Sequence, residues 1–184
     1  MRSMSYAHLR TLDLAENPID ALPDAIGDLA ELTILYVHRL RLSTLPAAIG
    51  RLSRLAYLNA SGNRITELPA TIGELTALVD LRLDDNELES LPESLGSLTT
   101  LRQLHLRGNR LASLPPAVRG LSGLTHLDVR DSAPGPRLHY LGLSALCSIR
   151  IPRLRPFGPP LGMTSSHSRV ARCTTPFAVR SRSS

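Results

Sequence analysis

Leucine recurs with a strict 23-residue period: Leu-x-x-Leu-x-Leu begins at Leu9, Leu32, Leu55, Leu78, Leu101 and Leu124 without a slip. No other feature constrains the fold as strongly. A fixed period of about 20 to 50 residues marks stacked structural units, none of which can bury its apolar side alone. The expected molecule is a solenoid, which meets other molecules through an extended surface. Binding another macromolecule is its default function.

The fourth repeat carries the whole pattern: Leu78, Leu81, Leu83, Asn86, Leu88, Leu91, Pro92, Leu95, Gly96 and Leu98. The third runs Leu55, Leu58, Ala60, Asn63, Ile65, Leu68, Pro69, Ile72, Gly73 and Leu75. Leu-x-Leu alternation puts Leu12 and Leu14, or Leu81 and Leu83, on one face of a short strand. Neighbouring strands stack in parallel about 4.8 Å apart, so six span about 24 Å. Asn17, Asn63, Asn86 and Asn109 mark where the chain leaves each strand. A buried amide there can pair with backbone groups that the turn leaves free, and an unpaired one costs about 1–3 kcal/mol. Apolar residues at repeat positions 14, 18 and 21 turn back inward. Proline after Leu22, Leu45, Leu68, Leu91 and Leu114 fits the first residue of a helical turn, where no amide donor is needed. Gly27, Gly50, Gly73 and Gly96 are expected to end that turn.

This pattern resembles the leucine-rich repeat family over residues 9 to about 131. Its Leu-Pro-x-x-Ile-Gly-x-Leu half is similar to the intracellular subclass of Ras-suppressor and plant intracellular Ras-group proteins. The resemblance implies an α/β leucine-rich repeat solenoid, with a short parallel sheet on the concave face and helical turns and loops on the convex face. It also implies a non-catalytic scaffold in signalling that binds a protein partner, a small GTPase among the candidates. Secreted members carry cysteine-rich caps, and none is visible here. With no apolar leader ahead of the first repeat, the expected location is cytoplasmic, and the expected state is a monomer.

Two repeats depart from the pattern. In the second, Leu40 replaces the asparagine, so one polar rung becomes apolar. In the sixth, Ser132 holds the asparagine position, and Pro134 and Arg137 occupy sites that should be apolar. The register is lost there.

Charge divides at the same point. Residues 1–131 hold 13 arginines against 16 acids, a net of −3, while 132–184 hold 8 arginines and no acid, a net of +8. The sum is the overall +5, so the basic balance describes the tail and says little of the repeats. No apolar run approaches the roughly 18 residues of a membrane span. Aromatic content is 3%, which leaves the packing to leucine.

Three readings of the tail 132–184 stand side by side. Its prolines, arginines and serines are too poor in apolar groups to order themselves, which favours a disordered extension, one origin being a change of reading frame. Residues 138–146 spell Leu-x-x-Leu-x-Leu once more, as a cap on the last apolar layer would. Clustered arginine also favours nucleic acid or another polyanion, although no nucleic-acid-binding motif accompanies it.

Catalytic signatures are lacking: no phosphate loop, Gly-x-Ser-x-Gly elbow or His-Glu-x-x-His helix occurs, and the repeats contain no cysteine. His139, Cys147, His167 and Cys173 lack the spacing of a zinc knuckle. A non-enzyme without cofactor or metal is the expectation.

Counting the first leucine of each repeat as position 1, positions 3, 5, 7 and 8 write the concave face. Tyr36 and Tyr57 are expected to lie diagonally adjacent, and with Arg82 they form the central anchors, tyrosine and arginine being common interface hot spots. Asn59 and His105 extend the partner-binding surface. Asp80, Asp84 and Asp85 beside Arg107 form a mixed-charge patch that would orient a partner more than hold it. His38, His105 and His126 read as surface polar groups.

Overall fold

The computed structural model describes residues 8–131. They belong to the first of two compact units, Met1–Arg153; the second, Leu154–Ser184, lies outside the described residues. The tail 132–184, with the cap candidate 138–146, and residues 1–7 of the N-terminal lead-in, which spans 1–8 ahead of the first repeat, also lie outside them.

Six three-residue strands form one parallel sheet in sequence order: β1 Thr11–Asp13, β2 Ile34–Tyr36, β3 Tyr57–Asn59, β4 Asp80–Arg82, β5 Gln103–His105 and β6 His126–Asp128. Register follows the sequence period, each residue pairing with the one 23 further on, as in Leu58↔Leu81 and Asn59↔Arg82. The central leucine of each strand points inward. Leu35, Leu58, Leu81 and Leu104 are fully buried. The flanking residues at positions 3 and 5 therefore share the opposite, concave face.

The convex side carries five 3₁₀ helices, Asp24–Asp28, Ala47–Arg51, Ala70–Glu74, Glu93–Ser97 and Pro116–Gly120. Proline sits one residue earlier than expected, as N-cap: Pro23, Pro46, Pro69, Pro92 and Pro115 all precede the first helical residue, and only Pro116 is inside. The reason is the carbonyl. Pro23 O accepts from the Ile26 amide at 3.0 Å, so proline opens the helix with its acceptor while its missing donor costs nothing.

The helix glycines also have a different task from the expected one. They do not adopt the left-handed conformation of a helix end; among the described glycines only Gly62 and Gly108 have positive φ. A Cβ on Gly73 would lie 2.3 Å from Ser94 O, and one on Gly50 2.6 Å from Thr71 O. Glycine is required because the next helix stacks that closely. In the fifth helix Arg119 replaces it, and among the described residues no further helix stacks beyond.

Asparagine performs the expected service. Asn86 Nδ2 donates to Ala60 O and Leu83 O at 3.0 and 3.1 Å, and its Oδ1 accepts from the Ile65 amide at 3.1 Å. Asn63 and Asn109 repeat the arrangement. At the missing rung, Leu40 is buried as an apolar filler, and the Ile19 amide turns to Asn17 O instead. Position 8 holds a regularity that periodicity alone did not disclose. Glu16, Arg39, Gly62, Asp85, Gly108 and Asp131 all have φ between 52° and 69°. Five of their amides, from Glu16 to Gly108, donate to the position-7 carbonyl of the next repeat, as Gly62 N does to Asp84 O.

Candidate functional site

The concave face divides into an aromatic part on β2–β3 and a titratable part on β4–β6. Ile34 pairs with Tyr57 and Tyr36 with Asn59, so the two tyrosines are diagonal neighbours, as expected, with ring centroids 5.3 Å apart. Arg82, across from Asn59 on β4, places its guanidinium carbon 5.5 Å from the Tyr57 centroid. That guanidinium also donates to Asp80, with Nη2 3.2 Å from Oδ2. The pairing raises the Arg82 pKa above its ordinary value, and burial pushes the Tyr57 phenol up while Arg82 opposes the shift. Tyr36, Tyr57 and Arg82 are each partly exposed, and thus reachable from the concave side.

The mixed-charge patch is brought together with one change of partner. Asp84 Oδ1 accepts from the Arg107 amide at 3.0 Å, and Arg107 Nη2 pairs with Asp85 Oδ2 at 3.2 Å. Asp80 belongs instead to Arg82 and lies 3.9 Å from His105 Nε2. Sidedness explains this: positions 3 and 5 occupy the strand, whereas positions 7 and 8 lie on the turn that follows. Burial raises the Asp84 pKa and lowers that of His105.

Short side chains at position 5 have a local duty as well. Asp13, Asn59 and Asp128 each accept from the amide two residues on, at 2.9, 3.1 and 3.2 Å. His105 cannot do this for Arg107, and Asp84 from the preceding repeat supplies the acceptor. Asn59 is therefore committed partly to its own turn.

Sequence reasoning placed His105 and His126 on the surface singly and did not bring them together with Asp128. His105 and His126 rings lie 4.8 Å apart, and Asp128 binds Arg130 through Nε at 2.9 Å and Nη2 at 2.6 Å. Those bonds hold the Asp128 carboxyl below its ordinary range and raise Arg130. The 23-residue register, applied to His105 and Asp128, would have found the pair. His38 departs from a simple surface group: its Nδ1 is buried with no hydrogen-bond partner among the described residues. A groove of about 440 Å³ runs beside it along the turns, lined among others by Arg39, Asp84, His105, Arg107 and Arg130.

Two family models match the chain, one a leucine-rich repeat region at residues 3–84 and the other a leucine-rich repeat at residues 100–121. A search of curated proteins finds no match. Solved structures do match. A leucine-rich repeat protein of Leptospira interrogans is 33% identical with a TM-score of 0.58, over 67% of this chain and 38% of that one. The PEPR1-AtPEP1 structure is 34% identical with a TM-score of 0.63, over 67% of this chain and 18% of that one. The plant peptide hormone receptor RGFR1 in complex with RGF2 is 26% identical with a TM-score of 0.52, over 68% and 25% of the two chains. This chain thus spans well under half the length of each. The described residues form a leucine-rich repeat solenoid, a class whose members generally serve as protein-interaction scaffolds. Among the described residues no helix is long and apolar enough to cross a membrane.

Proposed function

We propose that the array is a non-catalytic scaffold that binds an extended protein segment along its concave face, anchored on Tyr36, Tyr57 and Arg82. The observation that carries this reading is the stack itself. Tyr57 contacts both the Tyr36 ring and the Arg82 guanidinium, and Asp80, directly across from Tyr57 on β4, holds that guanidinium in place. An anchor already ordered before binding loses little side-chain entropy on contact, which is what a hot spot requires. RGFR1 in complex with RGF2 supplies a precedent for an array of this class holding a peptide partner. The resemblance of the repeats to the intracellular Ras-group-like subclass supports reading the scaffold as a cytoplasmic monomer in signalling, with a small GTPase as a candidate partner.

The test is selection of displayed peptides on the full-length chain, followed by affinity measurements on Tyr36→Ala, Tyr57→Ala and Arg82→Ala. Each substitution is expected to weaken a selected peptide at least about tenfold, the scale of a hot-spot truncation. Undiminished binding by all three would remove the anchor. Loss only on deleting 132–184, with a steep dependence on salt, would move the function to the arginine tail and to polyanions.

A further inference from the structure

We propose that His105, His126 and Asp128 bind a divalent transition-metal ion, with zinc as the best match to the donor set. The register creates the cluster. His105 on β5 stands directly opposite Asp128 on β6, and His126 lies two residues before Asp128 on the same face of β6. One ligand atom from each of the three lies within 4.8 Å of the others. Zinc bonds of about 2.0–2.2 Å put tetrahedral donors roughly 3.3 Å apart, so side-chain rotation has to close the cluster by about 1.5 Å or less. Two imidazoles and one carboxylate fill three positions and leave the fourth open toward the concave face.

The surroundings favour an ion here over a chance meeting of polar groups. Parallel strands in register place the donors on a rigid sheet, with Leu104 and Leu127 buried beneath them. Arg130 fixes the Asp128 carboxylate through both oxygens and its amide also donates to Oδ1, which leaves one lone pair on Oδ2 for a metal, and such an outer partner is what orients a ligating carboxylate. Gln103 Oε1 lies 3.4 Å and Asp80 Oδ1 3.9 Å from His105 Nε2, which restrains the ring. Asp80, Asp84 and Asp128 offset the positive charge of Arg82, Arg107 and Arg130 around the site. The site lies one strand beyond Arg82, so it does not depend on the tyrosine anchor being correct.

The experiment is titration of metal-stripped, full-length protein with zinc chloride by calorimetry, and with cobalt(II) by visible absorption. It is carried out in a Cys147→Ser, Cys173→Ser background, so that the tail thiols cannot supply ligands. One ion per chain is expected, with tetrahedral cobalt bands and at least a tenfold loss of affinity in His126→Ala and in His105→Ala. Arg130→Ala, which removes a hydrogen-bond partner of Asp128 and no ligand, is expected to retain the cobalt spectrum. No saturable binding, or affinity unchanged when both histidines are replaced in a chain that still folds, would overturn the proposal.

Discussion

Arg82 places its guanidinium 5.5 Å from the centroid of Tyr57 while holding Asp80 through Nη2 at 3.2 Å. One side chain thus ties a carboxylate on its own strand to an aromatic ring on the neighbouring one. The contact has an ionisation consequence. Burial raises the Tyr57 pKa, and Arg82 acts against that rise. In Arg82→Ala the opposing charge is gone and the Asp80 carboxylate beside the ring is no longer offset by it. The Tyr57 phenol is therefore expected to titrate at still higher pH. Titration of selectively labelled tyrosine by NMR checks this, and a pKa unchanged or lowered would mean the stack does not form in solution.

The helix glycines predict a contrast in stability. Gly73→Ala drives a Cβ against the Ser94 carbonyl, a backbone group that cannot swing aside, and overpacking of this kind costs about 1–3 kcal/mol. Arg119, at the same repeat position, already carries a Cβ. Arg119→Ala is expected to stay within about 0.5 kcal/mol of the parent, as for other surface changes. Urea unfolding of both variants decides it.

Asparagines at one repeat position should differ just as sharply. Asn86→Ala leaves Ile65 N without its partner in the core, at about 1–3 kcal/mol, while Ala60 O and Leu83 O keep their bonds from Asn63 and Asn109, so a loss of about 2–3 kcal/mol is expected. Asn17 is exposed and bonds only carbonyls of its own turn, Leu14 O and Ala15 O. Water can replace it, and Asn17→Ala should cost about 1 kcal/mol or less. Equal losses in chemical denaturation would contradict the ladder as the source of the difference.

Much of this molecule is legible in its sequence because the repeat constrains it many times over. A period fixes register, and register alone places Tyr36 diagonal to Tyr57 and His105 opposite Asp128. The leucines declare the core, and Leu40 declares its missing rung. Less legible is whatever depends on the spacing between units. Gly73 looks like a helix end until the Ser94 carbonyl is seen 2.3 Å from its absent Cβ. Position 8 is hidden because Glu16, Arg39 and Asp85 share a left-handed backbone with Gly62 and Gly108 without sharing side-chain chemistry. Asp80 was readable as part of a charged patch, but its choice of Arg82 over Arg107 depends on the strand giving way to the turn between positions 5 and 7.

Asp84 gives the pH prediction. Burial raises its pKa above the usual 3.8, even though the Arg107 amide donates to Oδ1 and stabilises the ionised form. Between the unfolded value and the raised folded value, the native state binds more protons than the unfolded chain. Stability contributed by this group is present in acid and lost as pH rises through that window. An asparagine keeps an oxygen acceptor for the Arg107 amide and never ionises. Asp84→Asn should thus match the parent below the usual aspartate range and become the more stable of the two at neutral pH. Urea midpoints for both chains, measured from pH about 3 to about 7, test the sign. An asparagine variant that is less stable at neutral pH would show that attraction from Arg107 and His105 outweighs burial, and Asp84 would then be an ion-pair partner in its own right.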